Sequence, residues 1–181
     1  MQFLAPVSVA NGVVPGEYLI APNADFALQN VVTEQRLFGA TANGRLTLPT
    51  GLYFFNAMLW LTGMSATSGN FAFDLLGSGN AALGSVLYQT LGTDSTTVLT
   101  AAAAPSQSFS SSAQSIASVV AATTGTVAAV SIRGTFRVNT AGTLVPSATL
   151  VTAAAATVKA GSHFRCWRAG AASVLAVGAW D

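Results

Sequence analysis

Val130-Ser131-Ile132-Arg133-Gly134-Thr135-Phe136-Arg137-Val138 is the stretch whose reading decides the class of this chain. In an extended backbone Val130, Ile132, Gly134, Phe136 and Val138 share one side, and Ser131, Arg133, Thr135, Arg137 and Asn139 share the other. That alternation predicts a half-buried strand. Asn139-Thr140-Ala141-Gly142-Thr143 then reads as a turn, Val145-Pro146 as an edge, and Gly161-Ser162 as a turn into a further strand. Short antiparallel strands follow from this layout.

The same signals recur on both sides of it. Arg45-Leu46-Thr47-Leu48-Pro49 alternates and stops at a Pro-Thr-Gly turn. Residues 51 to 62 (GLYFFNAMLWLT) place Tyr53, Phe55, Ala57, Leu59 and Leu61 on one face, with Leu52, Phe54, Met58 and Trp60 on the other. A strand apolar on both faces is covered on both; one face is assigned to a sandwich core, the other to a second sheet region or a subunit contact. Phe71, Phe73 and Leu75 alternate in the next strand, before a Gly77-Ser78-Gly79-Asn80 turn. Further strands are expected at 82 to 90, 95 to 99, 143 to 152, 156 to 159, 162 to 168 and 173 to 180. Residues 101 to 126 mix alanine runs, which suit helix, with Ser, Thr and Val, which suit strand. Strand with loops is the reading adopted there. Eight or more short strands with Gly-rich turns and no repeat point to an all-β sandwich or jelly roll.

Ahead of this body, residues 1–35 carry Pro6, Pro15 and Pro22, and their only charged side chains are Glu17, Asp25 and Glu34. Prolines at that spacing remove ladder donors and favour extended chain. The segment reads as an extended N-terminal arm or anchor that packs along the body or reaches a neighbour, with residues 36–181 as the main domain. A first strand plus loops of the same domain fits equally.

Composition narrows the function classes. Charged residues are 7% of the 181, against roughly 25% in a typical soluble domain. Hydrophobic residues reach 51%, and the mean hydropathy is +0.55. Asn, Thr, Gly or Ser interrupts every apolar run well short of the roughly 20 residues of a spanning helix, so no membrane partner is expected. Assembly is the other way to hide so much apolar surface. Seven Lys plus Arg balance six Asp plus Glu, with no basic cluster, so no nucleic-acid partner is expected either. Met1-Gln2-Phe3-Leu4-Ala5-Pro6 lacks the features of a secretory signal, and the single Cys166 cannot form an internal disulfide; synthesis in a reducing cytoplasm fits both.

Catalytic chemistry finds few components. His163 and Cys166 lie three apart on a strand and so point to opposite faces, which rules out a dyad between them. A small buried cysteine is the simpler reading. His163 is the only histidine, Asp74 and Asp94 are isolated, and the serines between 106 and 115 belong to no nucleophile elbow. Gly77-Ser78-Gly79 lacks the Lys and helix of a phosphate loop. No enzyme, cofactor or metal site is expected, a calcium site built partly from backbone carbonyls being the remaining metal option.

One constellation suggests a surface. Arg133 and Arg137 share a face of their strand, and His163, Arg165 and Trp167 share a face of theirs. If the two strands are neighbours with those faces aligned, the five residues display an Arg-rich patch with an aromatic, suited to stacking on a sugar or meeting an acidic neighbour. The plainer alternative makes Trp167 core and the arginines ordinary solvated side chains.

Leu46-Thr47-Leu48-Pro49-Thr50-Gly51-Leu52-Tyr53-Phe54-Phe55 resembles the strand-turn-strand opening of tumour necrosis factor-like and complement-like jelly rolls. The pattern from Val130 through Ala141-Gly142-Thr143-Leu144-Val145-Pro146 to Val158-Lys159-Ala160-Gly161-Ser162 resembles a type of tailed-bacteriophage structural protein. The resemblance spans roughly residues 44 to 168 and rests on turns and core positions. It implies an antiparallel jelly-roll sandwich, trimeric about an apolar axis, synthesised in the bacterial cytoplasm and carried in the virion. The implied role is head decoration, head fibre or spike, with other virion proteins such as the major capsid protein as partners. A tail or fibre-tip module binding a host surface glycan is the alternative.

Overall fold

The computed structural model describes residues 16–39, 44–67, 71–78, 81–95, 106–112, 115–118 and 126–169. Thirteen strands fall within them: β1 (Glu17–Ile20), β2 (Phe26–Ala27), β3 (Gln35–Arg36), β4 (Leu46–Leu48), β5 (Gly51–Thr62), β6 (Phe71–Ser78), β7 (Ala82–Ser95), β8 (Ser106–Ser112), β9 (Ser115–Ser118), β10 (Val127–Thr140), β11 (Gly142–Leu150), β12 (Thr157–Val158) and β13 (His163–Arg168). No α-helix occurs among the described residues, and all their long elements are strands. Every pairing is antiparallel.

Eight strands form one sheet in the order β1-β13-β5-β10-β7-β8, with β12 joined to β5 and to β2. The other five form a second sheet, β3-β11-β6-β9, with β4 also on β11. From β4 onward the chain alternates between the sheets: β4, β6, β9 and β11 lie in the smaller one, and β5, β7 with β8, β10, and β12 with β13 in the larger.

Alternation within each strand explains why two sheets form. Tyr53, Phe55, Ala57, Leu59 and Leu61 of β5, with Val130, Ile132, Phe136 and Val138 of β10, are all buried on one face of the larger sheet. Phe71, Phe73 and Leu75 of β6, with Leu144, Ala148 and Leu150 of β11, are buried in the same core. Aromatic rings knit the core together. Tyr53 stacks on Phe136 at 5.3 Å, Phe55 lies 5.8 Å from Phe164, and Phe164 reaches Phe73 of the other sheet at 6.4 Å. The Tyr53 hydroxyl, buried with its ring, donates to the Pro49 carbonyl at 2.8 Å and so keeps a partner away from water.

Gly134 shows how closely β10 and β7 approach. It stands opposite Phe55 on β5 and Tyr88 on β7, and a Cβ there would meet the Leu87 carbonyl oxygen at 2.1 Å. Only glycine leaves that approach open. The Gly161-Ser162 turn expected from sequence is present, with Gly161 at φ 92°, a left-handed conformation that suits glycine.

The expected strands match closely at residues 51 to 62, 130 to 138, 143 to 152 and 162 to 168. The strand expected at 82 to 90 runs on to Ser95, because β10 offers partners as far as Val127. The 101 to 126 segment holds β8 and β9. The strand expected at 173 to 180 lies outside the described residues, as do most of 95 to 99 and residues 1–15. From Glu17 onward the chain pairs with the body: β1 with β13, β2 with β12 and β3 with β11. The pairings therefore run across the boundary drawn after residue 35.

Candidate interaction surface

The sequence placed Arg133 and Arg137 on one strand and His163, Arg165 and Trp167 on another. Their strands, β10 and β13, are not neighbours; β5 lies between them and pairs with both. The register still brings the five residues onto one face. His163 and Ser131 flank Met58, Arg165 and Arg133 flank Asn56, and Trp167 and Thr135 flank Phe54. Arg137 stands on the following rung, opposite Leu52. Side chains two residues apart along a strand share a face, so four successive rungs of the larger sheet carry the set on the side away from the core.

Trp167 is exposed and belongs to this outer face, which decides against the core reading. Its ring stacks against Phe54 at 6.0 Å, and the Arg165 guanidinium lies 5.7 Å from its centroid. Arg165 also reaches Glu17 of β1 at 3.7 Å, a long contact between an exposed guanidinium and a half-buried carboxylate. Arg133 donates through Nε and Nη2 to the Gln89 Oε1 at 3.1 and 2.9 Å, which holds both planar groups on β7 and β10 in one orientation. His163 is half-buried, with Nδ1 3.4 Å from the Gly161 carbonyl oxygen. Arg137 is half-buried.

Most of the area here is apolar. Leu19, Phe54, Met58, Trp60, Leu87 and Trp167 are all exposed and all point away from the core, Leu87 by 57% and Met58 by 54%. Sequence reading had already set Phe54, Met58 and Trp60 apart as a second apolar face. It missed Leu87 and Gln89, whose alternation within β7 was the available signal, because nothing local to residues 82 to 90 states that β10 lies beside them.

A groove of about 440 Å³ crosses this face. It is lined by Phe54, Leu87, Gln89, Arg133, Thr135 and Trp167 and passes over Gly134. Its origin is a size pattern along one rung: Trp167 and Phe54 are large, Thr135 is small, and Leu87 is large again. Three strand spacings separate Trp167 from Leu87, roughly 14 Å.

On the opposite side of β13, Cys166 is buried among core residues, and burial pushes its thiol up to about 12, with Glu17 adding to the shift. A thiol so raised carries little thiolate at neutral pH and is a weak nucleophile. His163 faces outward, so the structure keeps the two apart. No group of three or more His, Cys, Asp or Glu side chains with metal-binding geometry occurs among the described residues, and no helix among them is long and apolar enough to cross a membrane. The outer face can bury apolar area, stack rings, and donate hydrogen bonds from arginines. Comparison with known proteins found no match among family models, curated proteins or solved structures.

Proposed function

We propose that this chain is a structural subunit of a bacteriophage virion, a jelly roll that associates with copies of itself as a trimer and decorates or reinforces the particle. The observation that carries self-association is the outer face of the larger sheet, where six large apolar side chains stand in solvent in a chain with 7% charged residues. Contiguous apolar patches of that kind mark interfaces. Alternation of successive strands between two antiparallel sheets supports the jelly roll. The particle and the trimer rest on the resemblance carried by residues 44 to 168, with the major capsid protein as the expected docking partner. The mechanism is mechanical. Burying a standard-size interface at roughly 25 cal/mol per Å² of apolar area contributes tens of kcal/mol before the costs of association and ordering.

Light scattering across a dilution series tests the reading. A trimer mass that persists to low micromolar concentration is the expected result; a monomer at all concentrations overturns self-association.

A second reading has its own observation. The stacked Trp167–Phe54 pair beside the Arg133–Gln89 hydrogen-bonded pair makes an apolar platform edged by planar polar groups, the combination that holds a sugar ring. On this reading the chain is a tail or fibre-tip module, and a glycan array read with wild type and Trp167→Ala separates the two.

A further inference from the structure

Among the described residues two further large apolar side chains are exposed, Val32 and Val151. Both sit beyond the same end of the β3–β11 ladder, where Gln35 pairs with Ala148, in loop segments next to the smaller sheet and off the strands that carry the groove. Val32 is 52% exposed and is carried on a loop closed at its neck. The Gln29 N–H donates to the Gln35 Oε1 at 2.7 Å, and the Gln35 Nε2 donates back to the Gln29 carbonyl at 3.1 Å. Within the loop, the Val31 N–H donates to the same Gln29 carbonyl at 2.8 Å. Glu34 is anchored by the Ser147 hydroxyl, which donates to its Oε1 at 2.5 Å. The loop is therefore ordered before any partner arrives, which lowers the entropic cost of docking.

Charge argues against the grooved face meeting itself. Arg133, Arg137 and Arg165 lie on it, and its one described carboxylate, Glu17, is already beside Arg165. A two-fold contact would set this basic face against its own copy, and like charges across an interface oppose pairing. The Val32 loop supplies an apolar tip beside the exposed carboxylate of Glu34, with Arg36 two residues on at the ladder. Two different patches that complement each other make a head-to-tail contact, which closes into a ring when the rotation allows.

We propose that the Val32 loop of one copy docks in the Phe54–Leu87–Trp167 groove of the next. This rests on the self-association reading above and specifies its contact. Val32→Asp removes the tip and leaves the groove; Leu87→Asp removes the groove and leaves the tip. Both positions are exposed, so both variants fold, which circular dichroism checks.

Each variant alone is expected to lose association by at least about tenfold, while an equimolar mixture forms a 1:1 dimer, because one intact tip still finds one intact groove. A second measurement needs no loss of binding. Val32→Cys mixed with Leu87→Cys under mild oxidation gives a disulfide between unlike chains, with the buried Cys166 not competing. If Val32→Asp assembles like the wild type, the loop contact is wrong while self-association stands. If the wild type is itself monomeric, self-association and the loop contact fall together. Crosslinks between like Leu87→Cys chains in place of unlike ones overturn the head-to-tail contact in favour of a two-fold one.

Discussion

The two faces of β5 differ little in the residues they carry and completely in what covers them. One face holds Tyr53, Phe55, Ala57, Leu59 and Leu61, all buried against the second sheet. The other holds Phe54, Met58 and Trp60, all exposed. A ring on the first face is part of what holds the domain together. A ring on the second contributes nothing comparable until another molecule arrives. Hydrophobicity alone therefore does not separate stability from association; the cover does.

Truncating one ring on each face gives the sharpest contrast. Phe136→Ala removes a core ring that packs on both Tyr53 and Phe55 and should lower folding stability by about 3–5 kcal/mol. Phe54→Ala should change it by less than about 0.5 kcal/mol while weakening association. Urea denaturation at one low protein concentration, paired with light scattering, reads both. Equal stability losses for the two would break the distinction between the faces.

A smaller effect tests where the faces meet. Gly134→Ala would push a methyl toward the Leu87 carbonyl oxygen, which belongs to the backbone and cannot swing aside. Prying β10 from β7 should cost about 1–3 kcal/mol and should also alter the groove, so stability and association should fall together. Wild-type behaviour in both assays would show that the strands part there without penalty.

The smallest effect lies away from both faces and serves as a control. The Lys159 ammonium and then the Ala160 N–H, at 2.8 Å, donate to the Asp25 carboxylate and hold its pKa below the ordinary value of 3.8. A folded pKa below the unfolded one stabilises above the unfolded value, and that contribution is lost as pH falls through the folded one. Asp25→Asn should therefore flatten the acid limb of thermal stability below about pH 4 and leave assembly at neutral pH unchanged. An unchanged acid limb would show that this exposed clamp between β2 and β12 adds nothing.

Much of the fold was legible because the strands are strongly patterned. Residues 51 to 62 form β5 as expected, and in β10 the inward set of Val130, Ile132, Phe136 and Val138 emerged as read. Legibility stopped at pairing. Local alternation put Arg133 with Arg137 and Arg165 with Trp167. That all four share one face of the sheet, with Asn56 between Arg133 and Arg165, did not follow from it, since strand order depends on partners distant in sequence. The same limit hid Leu87. The 1–35 segment was ambiguous for a related reason. Its prolines announce extended chain, yet an extended chain pairs with a sheet edge as readily as it stands free, and β1 pairs with β13.

By itself the sequence determined the all-β class, the period-two burial of β5, the Gly161-Ser162 turn, and the scarcity of charge that makes self-association the leading expectation. These are local properties, set by side-chain alternation and backbone preference. Only the tertiary structure decided which apolar face of β5 becomes core. It also brought Trp167, Phe54, Thr135 and Leu87 onto one rung to form the groove, and set the Val32 loop next to the other sheet. Those outcomes depend on register and strand order, which come from packing the two sheets together and not from any single segment.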